Sequence, residues 1–140
     1  MIQISQESGL KIKLLNKRTI YHWLKELASV YGFSIDNLII ALVSDERILK
    51  INKDYLNHDY FTDIITFDYT EGKQINAEIF ISTDRVADNS TQFQTTHDRE
   101  LYRVIAHGLL HCIGFKDKTD VESKKMRKAE NEALALLKLM

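Results

Sequence analysis

Proline is absent from this chain, and cysteine occurs once, at Cys112. A single thiol excludes any intramolecular disulfide, which suits a reducing compartment. With no proline and only five glycines, no Pro-rich linker divides the sequence, and its elements must be separated by polar turns and glycine caps. No uninterrupted apolar run approaches the roughly 18 residues of a membrane span. The opening stretch MIQISQESGLKIKLL lacks the basic-then-apolar layout of a secretory signal. A net charge of −1 places no global demand for a polyanion on the chain, although a local basic patch can still bind one. These absences lead to the expectation of a cytoplasmic protein with no membrane partner.

What is present is ordinary for a folded protein. The chain has 140 residues, 44% hydrophobic and 28% charged, so residues 1–140 are expected to form one domain around one core. From Lys17 to Tyr31 the apolar residues Ile20, Trp23, Leu24, Leu27 and Val30 recur at helical spacing, and Gly32 follows as a C-cap. The β-branched stretch Asn37 to Ser44 predicts a buried strand, with Asp45 capping a helix that runs through Tyr55. Asp63 to Tyr69 and Ile75 to Ser82 read as an antiparallel pair joined by a turn around Glu71-Gly72-Lys73. A short helix from Ser82 or Thr83 to about Asn89, a polar loop from Ser90 to Thr96, a long helix from about Asp98 to Gly114 and a last one from Asp120 to Leu139 complete the chain. The order predicts an α+β fold, a small mixed sheet flanked by helices.

The long helix carries the chemistry. In His107-Gly-Leu-Leu-His111 two imidazoles stand four residues apart, which at 3.6 residues per turn puts both on one helical face. They interrupt an apolar run, IAHGLLHCIGF, where unpaired rings would be unfavourable. The helix then stops at Gly114, and the reversal through Phe115 and Lys116 can return the Asp117 carboxylate to that face. Two imidazoles and a carboxylate suit one zinc ion per chain, with the fourth tetrahedral position left for a water as the nucleophile. The same set also suits iron. A helical zinc peptidase would place its general base just after the first histidine, and here that residue is Gly108, which disfavours peptidase chemistry.

The segment HGLLHCIGFKD, residues 107–117, resembles the H-G-x-L-H-x-x-G-Y-D-H signature of the YbeY family, bacterial single-strand-specific endoribonucleases. Upstream, Thr62-Asp63-Ile-Ile-Thr-Phe67 is similar to that family's T-D-V-L-S-F, and Ala77 to Ser82 to its G-D-I-x-I-S. Together these cover about Ile51 to Lys118. The resemblance implies an α+β domain with its metal helix against a sheet. It also implies cleavage of single-stranded RNA in maturation of the 16S ribosomal RNA 3′ end and in ribosome quality control, with ribosomal RNA and the ribosome as partners and no DNA. Carried over by position, the family's ligand histidines fall on His107, His111 and, as a departure, Asp117. A second departure is Leu56, which stands where many members have an arginine after the residue aligned with Tyr55, and leucine has no fork for a phosphate.

Arg85, Arg103, Lys116 and Lys118 are the candidates to replace that arginine, and His58 is a further one if its loop covers the site. Asp63 reads as structural, Cys112 as a small core residue, and His22 and His97 as surface residues. The charged residues of the last helix, Glu130 among them, read as a solvated face. Two rival functions stand beside the nuclease: a zinc-stabilised ribosome- or RNA-binding assembly factor with little catalysis, and a metallohydrolase of non-RNA substrates.

Overall fold

A computed structural model describes residues 1–57 and 62–137. Four strands and five helices follow in the order β1 (Ile2–Gln6), α1 (Lys17–Val30), β2 (Ser34–Val43), α2 (Asp45–Leu56), β3 (Ile64–Asp68), β4 (Gln74–Ser82), α3 (Thr83–Gln92), α4 (His97–Ile113) and α5 (Asp120–Leu137). The strands form one mixed sheet in the order β1-β2-β4-β3. β1 and β2 pair in parallel, as do β2 and β4, while β3 runs antiparallel to β4 with Ile64 opposite Ile81. The expected α+β class and mixed sheet are both observed.

Alternation along the strands sorts side chains onto two faces. Leu38, Ile40 and Leu42 of β2 join Ile75, Ala77, Ile79 and Ile81 of β4 in a core with α1, α4 and α5. Val43, Ile65 and the flanking Phe67 and Phe80 face the other way, onto Ile48 and Ile51 of α2. α4 therefore packs against the sheet, α3 and α5 and touches α1, with His107 and His111 half-buried on what remains of its surface. Of the stripe expected on α1, Ile20, Trp23, Leu24 and Leu27 are buried, whereas Val30, in the last turn, is exposed.

Several boundaries differ from the sequence reading for local reasons. β1 was not anticipated: its alternation of Ile2 and Ile4 with polar residues is short, and only Ile4 is fully buried. β2 starts three residues early because a register shift between Ile35 and Asn37 absorbs Asp36 without ending the ladder. The cap of α2 is Ser44, whose hydroxyl accepts from the Arg47 amide, rather than Asp45. Asp45 instead binds the Ser82 hydroxyl and the Arg85 guanidinium. α3 continues to Gln92, so the expected loop from Ser90 shortens to residues 93–96, and Thr96 caps α4. No helix among the described residues is long and apolar enough to cross a membrane.

Candidate metal centre

Residues 97–113 form the helix α4, in which Leu101, Val104, Ile105, Leu109 and Cys112 are buried. Gly108 lies on the sheet-facing side. A Cβ there would come within 2.9 Å of Ile79 Cδ1 and 3.0 Å of Ile64 Cδ1, so any side chain at this position would have to push the two isoleucine tips aside. Gly108→Val should lower stability by about 1–3 kcal/mol in urea unfolding through overpacking against these two side chains. An unchanged midpoint would show that helix and sheet separate there at no cost.

With Gly108 turned to the sheet, His107 and His111 project to another side, their ring centroids 4.7 Å apart and nearly perpendicular. α4 ends at Gly114, whose φ of 122° lies in the region that only glycine adopts without strain, and its amide bonds back to the Leu110 and His111 carbonyls. This reversal brings Asp117 over the helix end. One carboxylate oxygen lies 3.3 Å from His107 Nε2 and the other 3.7 Å from His111 Nε2. The three donor atoms all fall within 4.8 Å of one another, so His107, His111 and Asp117 are a group that can hold a metal ion. Tetrahedral zinc with bonds near 2.0–2.1 Å would separate its donors by roughly 3.4 Å, close to the two distances observed.

The orientation of His107 comes from α5. Its Nδ1 lies 2.6 Å from a carboxylate oxygen of Glu130, which is 2% exposed. Burial works against the charge on Glu130, but the His107 hydrogen bond and the Arg103 guanidinium outweigh it and hold the carboxyl below its ordinary range. An ionised carboxylate only accepts, so the His107 proton sits on Nδ1. With a metal ion bound the ring would be neutral, its Nε2 lone pair turned toward an ion shared with Asp117, whose carboxylate lies 3.3 Å from Nε2.

Behind Glu130, Arg103 donates to it at 2.9 Å and forks onto Glu100 with Nε at 2.8 Å. Burial alone would lower the Arg103 pKa, yet the two carboxylates raise it above the usual arginine value. Two expectations are thereby corrected. Glu130 belongs to the buried stripe of α5 with Met126, Ala133 and Leu134, not to a solvated face. Arg103 is committed to Glu100 and Glu130 and does not supply a phosphate contact.

Arg85 is likewise engaged, by Asp45 and Asp88, each at 3.0 Å. Lys116 and Lys118 flank Asp117 and are exposed, while Leu56 closes α2 half in solvent. His58 lies outside the described residues. Asp63 has the structural role expected of it: its carboxylate accepts from Asn89 and its carbonyl from the Ser82 amide. Cys112 is buried, and that burial together with the neighbouring Asp68 pushes its thiol up to about 12.

The description of the family model that matches residues 2–138 is Endoribonuclease YbeY. The chain belongs to the YbeY family. This extends the likeness well beyond the stretch from Ile51 to Lys118. An Endoribonuclease YbeY of Phocaeicola vulgatus is 47% identical over 134 residues, spanning 96% of this chain and 97% of that protein. Members of the same name from Bacteroides thetaiotaomicron and Porphyromonas gingivalis are 44% and 40% identical, covering 94% and 92% of this chain and 96% and 85% of theirs. The solution structure of TM1509 from Thermotoga maritima has a similar fold, with a TM-score of 0.66 and 25% identity over 98% of this chain and 89% of that one.

Proposed function

We propose that this member of the YbeY family is a zinc-dependent endoribonuclease that cleaves single-stranded RNA, with the 16S ribosomal RNA 3′ end and the ribosome as its setting. The observation that carries the reading is the convergence of His107 Nε2, His111 Nε2 and the Asp117 carboxylate, with Glu130 fixing the first ring from behind. Bound there, zinc supplies Lewis acidity toward a phosphoryl oxygen and makes water acidic enough, with a pKa near 7, to act as a nucleophile. His107 and His111 hold the ion as neutral rings. Asp117 adds one negative charge to the ligand set, and Lys116 and Lys118 on either side of it offset charge on the scissile phosphate. The name carried by the Phocaeicola and Bacteroides relatives supports RNA as the substrate.

Leu56 in place of an arginine favours a second reading, in which the same loop binds RNA or the ribosome with little cleavage. One assay separates the two. Purified protein is analysed for metal, loaded with Zn2+, and incubated with unstructured and duplex RNA beside His111→Ala. The nuclease reading expects one metal per chain, cleavage of the unstructured RNA, and loss of both in the variant. Cleavage that survives His111→Ala, or a protein that cannot be loaded, would remove the hydrolytic account.

A further inference from the structure

A nuclease selective for single strands needs a surface on which the strand lies as well as a group that cuts it. Beside the loop that carries Asp117, a cleft of about 450 Å3 opens among the end of α1, the start of β2, the β3–β4 turn and the start of α5. Its walls hold three aromatic rings, Tyr31, Phe33 and Phe115, and three ammonium groups, Lys73, Lys116 and Lys125. Phe115 meets Tyr31 edge to face with centroids 5.3 Å apart, and Lys73 Nζ stands 4.5 Å from the centre of the Phe33 ring. All three rings are only half-buried, so aromatic surface faces the cleft, and the three lysines are exposed. The one carboxylate in the lining, Glu122, accepts from the backbone amides of Lys118 and Thr119 and is outnumbered by the lysines.

Phe115 and Lys116 lie between Gly114 and Asp117, so a single reversal forms both the wall of the cleft and the arm of the metal group. A second aromatic cleft, around Tyr55, Phe67 and Phe80, lies on the sheet face away from α4 and balances Arg47 against Glu78. It has neither the charge nor the adjacency.

We infer that the cleft beside Phe115 is the docking groove for single-stranded RNA, with bases stacked on Phe115 and Tyr31 and backbone phosphates on Lys73, Lys116 and Lys125. The inference deepens the endoribonuclease reading and rests on it for the choice of RNA. Unpaired bases offer free faces to aromatic side chains, whereas a duplex hides them, so the rings also account for a single-strand preference. Sequence tolerance follows, because every base has such a face.

The test measures binding of a fluorescent oligouridylate to the full-length protein by anisotropy across a salt series. It is run with chelator and again with Zn2+, and cleavage is followed in parallel. Lys73→Gln/Lys125→Gln lies outside the metal loop, and Phe115→Leu keeps apolar bulk while removing the ring. For the lysine pair, the slope of log K against log salt is expected to fall by about 1.4, or about 0.7 for each phosphate contact removed. Phe115→Leu should weaken binding roughly 5-fold or more at constant slope, and wild-type binding to duplex RNA of equal length should be weaker throughout. Lysine-dependent binding without cleavage supports the groove and discards the catalytic reading. Cleavage with the wild-type slope unchanged in the lysine pair overturns the groove and leaves catalysis standing. No binding of the single strand, or lysine variants that alter only the oligomeric state in sedimentation, overturns the groove as well.

Discussion

Arg103→Ala should lower the unfolding free energy by about 3–5 kcal/mol, read from the urea midpoint and slope. The reason is what it leaves behind. Glu100 and Glu130 are each 2% exposed, and Arg103 is the cation they share, forked onto Glu100 and bonded to Glu130. Removing it leaves the buried Glu100 without its cation and Glu130 with only the His107 contact and a distant Arg127, a larger penalty than the pair itself is worth against an apolar substitute. Arg127 reaches Glu130 only from the rim, at 3.7 Å, and cannot replace the fork. Arg103→Lys keeps one charge without the planar geometry and should fall between wild type and alanine. Because Glu130 titrates below its unfolded value of 4.5 in the folded protein, its pairing stabilises the wild type above that pH and is lost as pH falls through the folded value. The gap between wild type and Arg103→Ala should therefore narrow in acid. A deficit under about 1 kcal/mol at neutral pH would mean that water reaches both carboxylates.

With zinc held as proposed, Glu130→Gln should weaken its binding by about 10- to 100-fold, measured by competition with a chromophoric chelator. The amide keeps the shape of the carboxylate but loses its charge, and its NH2 can displace the proton from His107 Nδ1 to Nε2, the atom that faces Asp117. Stability should change far less than in Arg103→Ala, since the buried charge that loses a partner, the Arg103 guanidinium, retains its fork onto Glu100. Loading with Co2+ gives a readout independent of turnover: its visible bands report ligand geometry and should shift in Glu130→Gln. Zinc affinity and Co2+ bands identical to wild type would show that His107 is oriented without Glu130.

The convergence of His107, His111 and Asp117 was legible because it is local. Helical periodicity fixes the first two, and a glycine with positive φ fixes the return of the third within six residues. Glu130 and Arg103 were misread because their roles depend on how two helices pair, which no spacing within one helix encodes. A signal was present all the same: Met126, Glu130 and Leu134 recur every four residues, so the carboxylate sits within the apolar stripe of α5 and not on its charged side. β1 escaped notice for a related reason. Its partner begins about thirty residues downstream, and five residues with two isoleucines carry little pattern of their own.

The dependence of His107 on a side chain of α5 also orders events in time. Both imidazoles have been synthesised by residue 111, yet the group that aims the first of them follows nineteen residues later and acts only once its helix has docked. A chain still emerging during translation would thus carry the two rings unaimed. By this logic the cluster of His107, His111 and Asp117 reaches its final geometry among the last parts of the fold.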